Sequence, residues 1–153
     1  MYETLIKQLT FEEGNRLVAY NDTKGIKTIG VGHNLNARPF FQNKKISNTI
    51  TDELCTALLL DDIATAASDI RKSWVGFREL CPARQEAIIN MVFQLGLTTF
   101  MKFRTMIYAL DQKKWQLAHD SALNSLWAKE CPNRAARVCS QLLTGEYYKV
   151  PLS

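Results

Sequence analysis

From Thr51 to Lys72 the chain holds helical periodicity without a break, in "TDELCTALLLDDIATAASDIRK". About 22 residues at 1.5 Å per residue make a helix roughly 33 Å long, enough to connect two lobes instead of belonging to one. Thr51 reads as its N-cap, and Asp52 and Glu53 suit the positive end of the helix dipole. The run therefore divides the chain into an N-terminal lobe of residues 1–50, a connecting helix of 51–73 and a C-terminal lobe of 74–153. With 153 residues, 46% of them hydrophobic, the chain can bury one core shared between two such lobes.

The two flanks differ in texture. Tyr2, Leu5, Ile6 and Leu9 recur at helical spacing, and Gly14 stops a first helix after Glu13. Helix one is also a candidate to pack on the C-terminal lobe. Then "RLVAY" and "KTIGVGH" are β-prone and joined by the turn-rich "NDTKG", which predicts a β-hairpin with room for a third strand. The segment "NLNARPFFQNKK" reads as irregular, broken by Pro39. After Trp74 everything reads as helix: "PARQEAIINMVFQLG" from Pro82 to Gly96, "PNRAARVCSQLLTG" from Pro132 to Gly145, and shorter pieces near 103–112 and 115–124. The expected class is α+β, mostly α.

Charge follows the same division. Residues 1–50 carry 7 basic and 4 acidic groups, residues 51–80 carry 3 and 6, and residues 81–153 carry 9 and 5. Two basic regions flank an acidic connector, which suits an anionic polymer between the lobes or, equally, ordinary surface charge. Cys55, Cys81, Cys131 and Cys139 are widely spaced and read as reduced, structural thiols. His33 and His119 lie apart with no ligand pattern, so no metal site and no cofactor are expected. No window is long and apolar enough for membrane insertion, and "MYETLIKQLT" lacks the features of a secretory signal, so the expected place of synthesis is the cytoplasm.

On a helical wheel the apolar stripe of helix one centres near 190°, with Glu13 about 30° and Glu12 about 70° from it. Glu13 is thus the better candidate for a semi-buried carboxyl, either holding a proton for chemistry or ending the helix in an ion pair with an arginine. Asp22 sits in the turn "YNDTKG", where aspartate is a favoured turn former whatever else it does. In "KTIGVGH" strict alternation puts Thr28, Gly30 and Gly32 on one face, nearly bare of side chains and open to a bulky substrate chain. His33 falls on the apolar face, where its expected role is structural, donating to an acid on the long helix such as Asp62. Two carboxyls in different settings with a hydroxyl nearby fit a glycosidase, although spacing alone does not establish one.

The run "FEEGNRLVAYNDTKGIKTIGVGH" resembles the N-terminal lobe of the T-even-type phage lysozymes, the endolysins of glycoside hydrolase family 24. It has the glutamate-glycine, an aspartate-threonine turn nine residues after that glutamate, and then Thr-Ile-Gly-x-Gly-His. The likeness continues in "AIINMVFQLG", "QKKWQLA" and "PNRAARV", in the family's order. The resemblance implies Glu13 as general acid, Asp22 as second catalytic carboxylate and Thr28 as the hydroxyl that helps hold the attacking water. It implies Arg134 as an arginine paired with the catalytic glutamate, and His33 with Asp62 as a structural ion pair. Phe93 and Gln94 match substrate-contact positions, while Asn34, Met106 and Ser121 stand where the family more often has leucine, serine and asparagine. Leu126 replaces an expected arginine, and the loop from 34 to 50 is shorter than in the best-known members.

The activity so implied is inverting hydrolysis of the β-1,4 bond between N-acetylmuramic acid and N-acetylglucosamine in peptidoglycan, for host cell lysis. A monomer that reaches the periplasmic wall through a separate holin completes the expectation. A lytic transglycosylase would need only one acid. A basic helical nucleic-acid-binding module would account for the charge, but no RNA-binding or helix-turn-helix signature is present. A non-catalytic cell-wall binder would be expected to have lost Glu13 or Asp22.

Overall fold

The computed structural model describes residues 1–151. In chain order the elements are α1 (Glu3–Glu13), β1 (Arg16–Asn21), β2 (Lys27–Gly30), β3 (His33–Asn34), β4 (Phe40–Phe41), β5 (Lys44–Lys45) and α2 (Asp52–Ser73). After a 3₁₀ turn (Val75–Glu79) come α3 (Pro82–Leu95), α4 (Leu97–Phe100), α5 (Arg104–Asp111), α6 (Trp115–Leu123), α7 (Leu126–Glu130) and α8 (Pro132–Thr144). The class is α+β and mostly helical, as the periodicities predict.

Two compact units divide the chain: Ile6–Thr65, and Met1–Leu5 together with the chain from Ala66 onward. In the first, β1, β2 and β3 form an antiparallel sheet in that order. The outer edge of β1 is covered rather than bare, because Ala19 N–H donates to Asn48 O (2.8 Å) and Ile50 N–H to Leu17 O (2.8 Å). An edge paired in this way is closed to other strands. Leu9, Ile29, Val31, Leu35, Ile46, Ile50, Leu58, Leu59 and Ile63 form the core, none more than 7% exposed. Thr51 caps α2 by accepting the Leu54 N–H at 3.1 Å, which satisfies one of the first-turn donors and contributes about 1 kcal/mol.

The segment read as irregular contains a second hairpin. Phe40 pairs with Lys45 and Phe41 with Lys44 across a Gln42-Asn43 turn, and both turn residues adopt positive φ (51° and 65°). Such turns usually announce themselves with Asn-Gly or Asp-Gly. Gln-Asn gives no comparable signal.

The helical unit is built on the caps that the sequence shows. Pro82 and Pro132 stand in the first turns of α3 and α8, where a missing N–H leaves no intrahelical bond unmade, and Gly96 and Gly145 follow their last residues. Ala135, Val138, Cys139 and Leu142 line one stripe of α8 and are fully buried, the i, i+3, i+4, i+7 pattern of a core-facing helix. Burial pushes the Cys139 thiol up to about 12, so it stays an inert packing group. Among the described residues no cysteine forms a disulfide.

Candidate active site

Glu13 is the last residue of α1, and the helix closes behind it where Gly14 N–H donates to Thr10 O at 3.0 Å. The side chain is half-buried. Its carboxyl rests directly on Gly32: a Cβ placed there would stand 3.0 Å from Glu13 Cδ and 3.1 Å from Oε1. Only glycine leaves that space open.

Strict alternation through "KTIGVGH" does not hold. β2 ends at Gly30, and the chain reverses through Val31-Gly32 so that Ile29 pairs with His33 and Thr28 with Asn34. Gly30 and Gly32 adopt φ of 65° and 66°, which the alternating reading cannot accommodate. A Cβ at Gly30 would lie 3.2 Å from Cys55 Sγ in the interior. The two bare positions therefore make room for Cys55 and for the Glu13 carboxyl, rather than forming a strip open to substrate.

Asp22 closes the turn after β1. Its Oδ1 accepts the N–H groups of Lys24 and Ile26, both at 2.8 Å, while its own N–H donates to Ile26 O at 2.9 Å. The carboxylate is thus fixed in rotation with one oxygen engaged. Oδ2 accepts no hydrogen bond from any described residue. Thr28 is 5% exposed and donates its hydroxyl hydrogen to the Ile26 carbonyl at 2.8 Å. With its hydrogen committed, the oxygen is left as an acceptor.

Tyr20 and Arg16 carry no motif of their own in the sequence and join the site only in the fold. Tyr20 pairs with Thr28 across β1 and β2, and the Arg16 guanidinium carbon lies 4.3 Å from its ring centroid. Burial, opposed by the Arg16 charge and reinforced by the charges of Glu13 and Asp22, holds the Tyr20 phenol above its ordinary range. The signal available in sequence is proximity: Arg16 and Tyr20 lie on the same β-prone run that leads into the Asp22 turn.

His33 is 3% exposed. Its Nδ1 lies 2.7 Å from Asp62 Oδ2 and its Nε2 2.8 Å from Arg38 O. Both neighbours accept, so the doubly protonated ring satisfies them best. Burial pulls the imidazole down, but the hydrogen bond and charge of Asp62 outweigh it and hold the group above its ordinary value. Arg38 completes the cluster, donating to Asp62 Oδ1 and Asp61 Oδ2, both at 2.6 Å.

The remaining expected site residues are placed as follows. Asn34 stands opposite Thr28 on β3 and accepts the Ala37 N–H at 2.9 Å. In the helical unit Phe93 is half-buried, and the Gln94 amide takes the Trp127 indole N–H at 2.9 Å and donates to Cys131 Sγ at 3.3 Å. Ser121 donates to Ala118 O in its own helix at 3.1 Å. Arg134 is 7% exposed and donates to Asn90 Oδ1 from Nε (3.1 Å) and Nη2 (2.8 Å). Met106, at 1% exposure, is buried with Ala109 and Leu110 of α5.

Residues 10–143 match the family described as Phage lysozyme. Among curated proteins, Probable T4-type lysozyme 1 of Dictyostelium discoideum is 32% identical over 95% of this chain and 96% of its own length. Endolysin of Salmonella phage P22 is 35% identical over 81% of this chain and 80% of its own. The Pre-baseplate central spike protein Gp5 of Enterobacteria phage T4 is 34% identical over 93% of this chain, which corresponds to 28% of that protein.

Proposed function

For a chain that belongs to the phage lysozyme family, and is thereby a glycoside hydrolase of lysozyme type acting on peptidoglycan, we propose inverting hydrolysis with Glu13 as general acid and Asp22 as general base. The bond cleaved is the β-1,4 link between N-acetylmuramic acid and N-acetylglucosamine. The carrying observation is the half-engaged Asp22 carboxylate, whose Oδ1 is held by two backbone N–H groups while Oδ2 is left to take a proton.

In this reading protonated Glu13 gives its hydrogen to the leaving glycosidic oxygen. A water donates one hydrogen to Asp22 Oδ2 and the other to the Thr28 oxygen, which aims its lone pair at the anomeric carbon from the opposite face. The base keeps the first hydrogen, and the new hydroxyl appears with inverted configuration. Inversion needs room for that water, typically a carboxyl separation of about 6.5–9.5 Å. Asn34 is proposed as a sugar contact beside Thr28, with Phe93, Gln94 and Ser121 as contacts offered by the helical unit and Arg134 as a supporting residue there. Among the described residues no helix is long and apolar enough to cross a membrane. We further propose a monomer, made in the bacterial host cytoplasm, that reaches the periplasmic wall through a separate holin and serves host cell lysis.

The test is turbidity loss on purified peptidoglycan, with product configuration followed by NMR. Glu13→Gln should fold normally and lose roughly 10²–10⁴-fold or more in rate, the usual worth of general acid catalysis. Full activity in Glu13→Gln or Asp22→Asn would refute the pair. A 1,6-anhydro product in place of a reducing end would point to lytic transglycosylation instead.

A further inference from the structure

Beside the two carboxyls stands a phenol for which the catalytic scheme has no use. Tyr20, Thr28 and Asn34 are direct cross-strand partners in β1, β2 and β3, so their side chains stand in one row on one face of the sheet. Between the Arg16 and Gly30 pair and the Tyr20 and Thr28 pair, four steps along β1 run against two along β2. This irregularity belongs to the stretch where the Arg16 guanidinium lies over the Tyr20 ring at 4.3 Å. Such a stack restrains the ring by cation–π attraction. The Tyr20 side chain is half-buried, yet its hydroxyl makes no hydrogen bond to any described residue. A phenol fixed by its ring with an unused hydroxyl is suited to a ligand.

We propose that Tyr20 is a further substrate-positioning residue, held by Arg16, whose hydroxyl donates a hydrogen bond to an acceptor oxygen of the sugar held beside Asp22 and Thr28. The inference rests on the proposed roles of Glu13 and Asp22. Its chemical logic is complementarity. Thr28 and ionised Asp22 present only acceptors, and the Glu13 proton is consumed by the reaction, so Tyr20 supplies that face with a fixed uncharged donor on the side of Thr28 away from the Asn34 amide. Burial, which outweighs the opposing Arg16 charge, holds the phenol above its ordinary range, so it remains a donor at neutral pH.

The experiment compares wild type, Tyr20→Phe and Arg16→Gln for kcat and KM on solubilised glycan strands of defined length, with thermal melts, alongside Glu13→Gln and Asp22→Asn. Tyr20→Phe is expected to leave the melting temperature unchanged and to lower kcat/KM roughly 2- to 13-fold, the worth of one neutral hydrogen bond. Arg16→Gln should lower it in the same direction by freeing the ring. The inference is overturned if Tyr20→Phe matches wild type in both constants, or if it melts lower or fails to fold, since the hydroxyl would then be either idle or structural. Inactive carboxylate variants with a fully active Tyr20→Phe would remove this inference alone; active carboxylate variants would remove the catalytic pair itself.

Discussion

Asp22 and Thr28 are fastened to one residue. The Ile26 carbonyl accepts both the Asp22 N–H at 2.9 Å and the Thr28 hydroxyl at 2.8 Å, while Ile26 N–H returns to Asp22 Oδ1 at 2.8 Å. Carboxylate and hydroxyl therefore keep a fixed relation through a single peptide segment, without depending on a distant element. Such fixing removes orientational freedom before the substrate arrives.

Thr28→Val tests this link with little change of shape. The Ile26 carbonyl keeps its bond from Asp22, so stability should change by only about 1 kcal/mol. The rate on peptidoglycan should nevertheless fall tenfold or more, since losing about 1.4 kcal/mol of transition-state stabilisation is one decade. Thr28→Ser should recover most of it. Equal rates in Val and Ser variants would show that the hydroxyl plays no part.

Gly32→Ala addresses Glu13 through its neighbour. A methyl at Gly32 would stand 3.0 Å from the Glu13 carboxyl carbon, at a φ of +66°. Gly25→Ala has a similar backbone cost, at φ +76°, but meets nothing within 4 Å. Both should lose roughly 1–2 kcal/mol in chemical denaturation. Only Gly32→Ala should also lose activity per folded molecule, as its carboxyl is pushed aside. Equal specific activity in the two variants would contradict a role for this contact.

What the sequence makes legible is local. Thr51, Pro82, Pro132, Gly96 and Gly145 mark helix ends because capping chemistry is confined to a few adjacent residues. The three-stranded sheet follows from β-prone runs around a turn that Asp22 builds with its own neighbours. The hairpin at 40–45 is not legible in the sequence because Gln42 and Asn43 take left-handed backbone without a glycine to signal it. Alternation failed after Gly30 because positive φ redirects the chain, which residue identity alone does not reveal. Met106 with its i+3 and i+4 neighbours Ala109 and Leu110 reads as a core stripe, and all three are buried. Tyr20 is silent in the sequence because its place depends on cross-strand pairing and on the Arg16 stack.

Arg84 illustrates a stabilising role apart from the catalytic pair. Its Nε donates to Leu142 O at 2.7 Å and its Nη2 to Leu143 O at 2.9 Å, while the guanidinium carbon lies 3.7 Å from the Trp115 ring centroid. Two carbonyls in the last turn of α8, which lack helical partners, are thus met by a planar cation at the negative end of the dipole. Arg84→Ala should destabilise by about 2–3 kcal/mol, combining charged hydrogen bonds with the lost stack. Arg84→Lys should restore only part of this, because an ammonium cannot both fork and stack. Urea melts measure the loss, and specific activity at low denaturant should stay at the wild-type level.

His33 makes stability depend on pH with a defined sign. Its folded value lies above the ordinary 6.5, so the protonated ring stabilises the native state. That contribution is complete below about pH 6.5 and is lost as pH rises through the raised folded value. Wild-type urea midpoints should therefore decline across this window, and His33→Gln should lack that component of the slope. Asp62→Asn removes the hydrogen-bonded carboxylate, leaving burial as the dominant influence on the ring, with the Arg38 carbonyl and the Arg38 charge opposing one another. The folded value should then fall below 6.5 and the slope reverse, with stability rising as pH climbs to about 6.5. A variant series in which wild type and Asp62→Asn show the same sign would disprove the ion pair as the source of the pH dependence.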